Sequence, residues 1–91
     1  MKKNKIAIFE GNKIRREWDD KKEKWYFSII DIISVLTKTD RPRKYWADLK
    51  KKLKSEGSEL SEKIGQLKMI SSDGKYYLTD VADTETIIIK S

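Results

Sequence analysis

Apolar residues change their spacing at Ser28, and that change constrains the fold more than any other feature of the chain. Upstream, Ile14, Arg16 and Trp18 alternate with Arg15 and Glu17, and Trp25 and Phe27 flank Tyr26, the two-residue period of strands. Downstream, Ile29, Ile30, Ile32, Ile33 and Leu36 recur at helical spacing. Residues 6–9 supply a further strand, joined to the next through Gly11-Asn12, so three antiparallel strands should open the chain. Ser28 and Asp31 form a capping-box signature that starts a core helix there, and this outweighs the strand preference of the isoleucines.

The rest of the chain divides on turn and cap signals. Residues 37–41 read as a polar connector, and Asp40 with Pro42 predicts a second helix over 42–55 with Asp40 as its cap and Gly57 as its stop. A short third helix is expected over 58–64, ended by Gly65. Residues 66–70 and 75–79 then flank Asp73-Gly74 as a hairpin. Asp80, followed by Asp83, is expected to cap a last helix over 81–85. At 91 residues the chain suits one domain with one modest core. The expected class is α+β over 1–91, with two small antiparallel hairpin systems packed on three to four helices.

Composition narrows the chemistry. The chain has no cysteine and no histidine, so thiolate nucleophiles, Ser-His pairs and the commonest zinc ligands are unavailable. Asp19-Asp20, Asp80 and Asp83 are the acids that a magnesium site would use, yet each is explained as a turn or cap residue. No enzyme, cofactor or metal is expected. No apolar run approaches the roughly 18 residues of a membrane span, and residues 6–9 are too short for a secretory core, which points to the cytoplasm.

The charge is concentrated. Between Arg41 and Lys54 seven basic residues stand against one acid, a local net of +6, while the remainder of the chain carries 14 of each sign. On a helix over 42–55, Pro42, Tyr45, Trp46, Leu49 and Leu53 share an apolar face. Arg43, Lys44, Lys51 and Lys54 lie opposite, around the small Ala47, where a phosphate chain could approach closely. Lys50 flanks this stripe, Arg41 precedes it, and Arg15 is the member of Arg15-Arg16 expected to join it, since Arg16 shares a strand face with Ile14 and Trp18. A solvated lysine face is the plain alternative. Aromatics could stack on unpaired bases, but Trp46 and Trp25 are expected inside, with Tyr26, Tyr76 or Tyr77 as the exposed candidates.

Several blocks in one order carry a resemblance: Ile14-Arg15-Arg16-x-Trp18, Lys24-Trp25-Tyr26-Phe27-Ser28, Pro42-Arg43-Lys44-Tyr45-Trp46-x-x-Leu49-Lys50, Glu56-Gly57-Ser58-Glu59-Leu60, Gln66-Leu67-Lys68 and Asp73-Gly74-Lys75-x-Tyr77-x-Thr79-Asp80-Val81-Ala82-Asp83-Thr84-Glu85. Over residues 6–85 the chain resembles the BRO N-terminal domain of prophage antirepressors, and more closely the bacterial DNA-damage-inducible protein D group. The resemblance implies a DNA-binding α+β regulatory domain without enzymatic activity or cofactor, with duplex DNA as the expected partner. It leaves open a module that binds a phage repressor or a recombination protein. Relatives of this kind continue beyond Thr84-Glu85 into a longer helical region, so the chain is expected to be truncated relative to them. Its end, Ile87-Ile88-Ile89, cannot place all three side chains on one face of a helix or strand, and edge pairing of that segment would make a homodimer.

Overall fold

The computed structural model describes residues 6–9, 11–57 and 59–86. Strands β1 (Ile6–Phe9), β2 (Asn12–Asp19) and β3 (Lys24–Ser28) form an antiparallel meander, followed by helices α1 (Ile29–Thr37) and α2 (Pro42–Ser55). A 3-10 helix at Glu59–Lys63 then leads into the hairpin of β4 (Gly65–Ile70) and β5 (Tyr76–Asp83). The class is α+β, as expected, but the two hairpin systems are not separate. β3 pairs with β5 through Tyr26 with Asp83, Phe27 with Ala82 and Ser28 with Val81, which merges them into one antiparallel sheet of order β1-β2-β3-β5-β4.

The chain enters α1 where its apolar period changes. Ser28 is the N-cap, its hydroxyl accepting the Asp31 backbone N–H at 3.3 Å. The other half of the capping box is absent because the Asp31 carboxylate is taken by Arg15. At the far end Lys38 adopts a left-handed conformation and closes the helix by donating its N–H to the Ser34 carbonyl.

Two cap assignments are corrected. Asp40 does not cap α2: the N-cap is Arg41, which makes no side-chain cap bond, and Pro42 opens the helix without an N–H that would need one. Asp80 does not start a helix either, because residues 80–83 are strand. Lying between β3 and β4, this stretch forms ladders on both edges, with Val81 opposite both Ser28 and Gly65, and Val81 and Ala82 are almost fully buried. That burial outweighs a local cap signal. The signal is used three residues later, where Asp83 Oδ1 accepts the Thr86 N–H at 2.8 Å and a helical turn opens at 84–86.

Glycines fix two of the breaks. Gly57, at φ 68°, takes the left-handed conformation that ends α2 after its C-cap Glu56. Gly74, at φ 85°, donates its N–H to the Ser71 carbonyl in the β4–β5 turn, where Asp73 also accepts the Lys75 N–H and the Tyr77 hydroxyl. The core joins the layers: Ile29 and Ile33 of α1, Trp46 of α2 and Ala82 of β5 are buried together, with Ile30, Leu49, Leu53 and Ile64 packed against them. Residues 87–91, including the three isoleucines expected to pair between copies, lie outside the described residues.

Candidate nucleic-acid interface

α2 runs for 14 residues, about 21 Å of axis at 1.5 Å per residue. Trp46 fixes its rotation. The indole is 5% exposed, and its Nε1–H donates to Asp80 Oδ2 on β5 at 2.6 Å. The same carboxylate accepts Lys50 Nζ at 2.8 Å and Gln66 Nε2 at 3.0 Å, so one side chain of the sheet binds two of the helix and one of the neighbouring strand. Burial pushes the Asp80 pKa upward, but the hydrogen bonds from Lys50, Trp46 and Gln66 outweigh it and hold the carboxyl below its ordinary value.

With Trp46 inward, a rotation of 100° per residue sends Arg43, Ala47 and Lys54 to one outer column and Lys44 and Lys51 to the next. All five are exposed. None of the four cations has an ion pair or side-chain hydrogen bond among the described residues. Arg43 and Lys54 stand on nearly the same azimuth about 16 Å apart along the axis, and Lys44 and Lys51 about 10 Å apart. The arrangement offers four unneutralised cations around an alanine that keeps the helix surface low between them.

The other expected contacts fall elsewhere. Lys50 is committed to Asp80 and lies 5.9 Å from the centre of the Trp46 ring. Arg41, exposed at the start of α2, shares a shallow polar hollow with Thr39, Asp40, Lys44, Tyr45 and Asp48. Arg15 does not join the stripe. Its side chain joins β2 to α1 and β4: Nε and Nη2 bind the Asp31 carboxylate at 2.8 and 3.0 Å, and Nη1 donates to the Ile70 carbonyl at 2.9 Å. Hydrogen bonding to Asp31 raises the guanidinium pKa above its ordinary value against the opposing effect of burial. Its neighbour Arg16 instead lies 3.8 Å from the Trp25 ring centre, and Trp25 meets Trp18 edge-on at 5.3 Å.

The aromatic candidates separate in the same way. Trp46 is core and Trp25 is half-buried, while Tyr76 and Tyr77 are exposed on the β4–β5 hairpin. Cross-strand pairing puts Ile70 beside Tyr76, with Leu78 two residues along on the same face, an exposed apolar strip that the sequence reading missed. Strict alternation over 76–80 would have revealed it once the burial of Thr79 was known. Of the acids that a magnesium site would use, Asp19 accepts the N–H groups of Lys21 and Lys22, Asp80 is held by Trp46, Lys50 and Gln66, and Asp83 pairs with Lys24 and caps the turn at 84–86. Among the described residues no helix is long and apolar enough to cross a membrane. No family model, curated protein or solved structure matches the chain.

Proposed function

We propose that the chain is a DNA-binding domain of regulatory type that holds the phosphate backbone with the outer face of α2. The observation that carries this reading is the set of Arg43, Lys44, Lys51 and Lys54, exposed without carboxylate partners around Ala47, on a helix whose rotation is fixed by Trp46 and Asp80. Four unpaired cations on one rigid face repel one another, and a polyanion relieves that repulsion while releasing its own counterions. Contacts of this type position a protein on a duplex without reading bases, so weak sequence preference is expected. The role in a prophage antirepressor or DNA-damage response belongs to the same proposal and rests on the resemblance alone.

An electrophoretic mobility shift with random-sequence duplex and single strands tests the reading. The chain should retard duplex at low salt, and the Arg43→Glu/Lys51→Glu/Lys54→Glu variant, correctly folded by circular dichroism, should not. Retention of binding by that variant would remove α2 from the mechanism. The exposed strip of Ile70, Tyr76 and Leu78 favours a second reading, a surface that binds a repressor or recombination protein. Under that reading Tyr76→Ser and Leu78→Ser abolish partner capture and leave duplex affinity unchanged.

A further inference from the structure

The β4–β5 hairpin carries a second displayed surface on the same side of the sheet as α2. Its register is unbroken from Gly65 with Val81 to Ile70 with Tyr76, so Gln66, Lys68 and Ile70 share one face with their partners Asp80, Leu78 and Tyr76. Asp80 identifies that face, since its carboxylate holds Trp46 and Lys50 of α2 together with Gln66. Two and four residues before Asp80, Leu78 and Tyr76 are each 63% exposed, so α2 does not cover them. At 100° per residue Lys50, Arg43 and Lys54 follow Trp46 within about 80° on the side of the helix that meets Asp80, whereas Tyr45, Leu49 and Leu53 turn the other way, toward α1. The column of Arg43 and Lys54 therefore lies on the hairpin side.

Lys68 decides what this strip takes. It stands opposite Leu78, exposed and without a carboxylate among the described residues, and the exposed Lys75 precedes Tyr76 at the turn. The acid on this face of the hairpin, Asp80, is already engaged. A second copy docked on the same strip would bring like charge against like charge, while an occupant that is both planar and anionic suits apolar side chains rimmed by cations. Tyr76 is free to meet it, whereas Tyr77, on the opposite face, is tied through its hydroxyl to Asp73 at 2.6 Å. We propose that the strip takes unpaired bases of a DNA strand whose duplex part lies on α2, with one base stacked on Tyr76, the next over Leu78, and their phosphates at Lys68 and Lys75. The Ile70–Tyr76 and Lys68–Leu78 rungs are about 7 Å apart, roughly two stacking steps of 3.4 Å. This inference rests on the reading of α2 as a phosphate-binding face and adds the kind of DNA it prefers, a duplex that ends in a single strand.

Affinities for a blunt duplex and for the same duplex with a short single-stranded tail containing 2-aminopurine test the strip. The parent should bind the tailed duplex about 5- to 100-fold more tightly, the effect of one stacked base, and should quench the 2-aminopurine fluorescence. Tyr76→Ser should remove the advantage and the quenching while leaving blunt-duplex affinity unchanged, and Tyr76→Phe, which keeps the ring, should retain both. Equal affinity of the parent for the two duplexes would overturn the strip and leave the reading of α2 intact. An advantage that survives Tyr76→Ser would also overturn it and leave the strip to a protein partner. A parent that binds and quenches the tail but does not bind blunt duplex would support the strip and contradict the reading of α2.

Discussion

Cations on the two sides of this molecule have opposite fates. Toward the sheet, Arg15 and Lys50 are each held by a single carboxylate, Asp31 and Asp80, and each joins elements that are distant in sequence. On the outer face of α2, Arg43, Lys44, Lys51 and Lys54 project into solvent with no such partner among the described residues. Lys50 and Lys51 are neighbours in the chain, yet one helical step of 100° places them in different populations. A run of lysines is thus two devices superimposed, one that fastens the helix and one that the helix displays.

The largest break in this comparison comes from removing what sets the rotation. Trp46→Ala deletes a side chain that is 5% exposed in the core and leaves Asp80 short of a donor. Unfolding in urea should show a loss of about 3–5 kcal/mol, a large part of what a domain this size possesses. A variant of parental stability that fails only in DNA binding would mean that Trp46 meets the nucleic acid and that the helix is rotated differently.

Arg15 sharpens the comparison from the fastening side. Arg15→Met takes the guanidinium from the Asp31 carboxylate, which keeps the backbone N–H of residue 15 at 2.9 Å, and removes the side-chain donor from the Ile70 carbonyl. Because the pair is partly exposed, the cost should be about 1–2 kcal/mol rather than that of a fully buried charge. Duplex affinity of the folded variant should not change. A selective loss of DNA binding would put Arg15 back among the contacts.

Asp80 predicts a pH dependence of defined sign. Its folded pKa lies below the ordinary carboxylate value, so its contribution is complete above the unfolded pKa, near 4, and fades as pH falls through the lower folded pKa. Asp80→Asn should cost about 1–2 kcal/mol at pH 7 and progressively less below pH 4, read from urea midpoints across pH. A stability difference that is flat from pH 7 to pH 3 would mean that Asp80 bears no charge-dependent load.

These roles were unevenly legible in the sequence. The strands before Ser28, the start of α1 and the extent of α2 follow from local periodicity and turn chemistry, which the tertiary structure leaves intact. The inward Trp46 and the outward four cations follow from the same periodicity. What could not be read is pairing across distance. Asp80 looks like a cap in its local context, and only the insertion of β5 between β3 and β4 makes it a strand residue facing Trp46 and Lys50. Strand alternation sends Arg15 outward, but its partners, the Asp31 carboxylate on α1 and the Ile70 carbonyl on β4, are brought to it by the tertiary fold and carry no local signal. The joining of the two hairpins has the same origin, since register between strands more than 50 residues apart carries no local signal.

The smallest expected effect on stability belongs to the displayed cations, where Lys51→Ala should stay within about 0.5 kcal/mol of the parent. It is also where the account is most exposed. Duplex affinity measured from low to moderate salt should give a log-log slope of about −3 to −4 for the parent, at about 0.9 per phosphate contact. Each single replacement of Arg43, Lys44, Lys51 or Lys54 should reduce the magnitude by about 0.9, and Lys50→Met should leave it unchanged. A slope near zero, or one that responds to Lys50 and not to Lys51, would contradict the division of the helix into fastening and displayed charge.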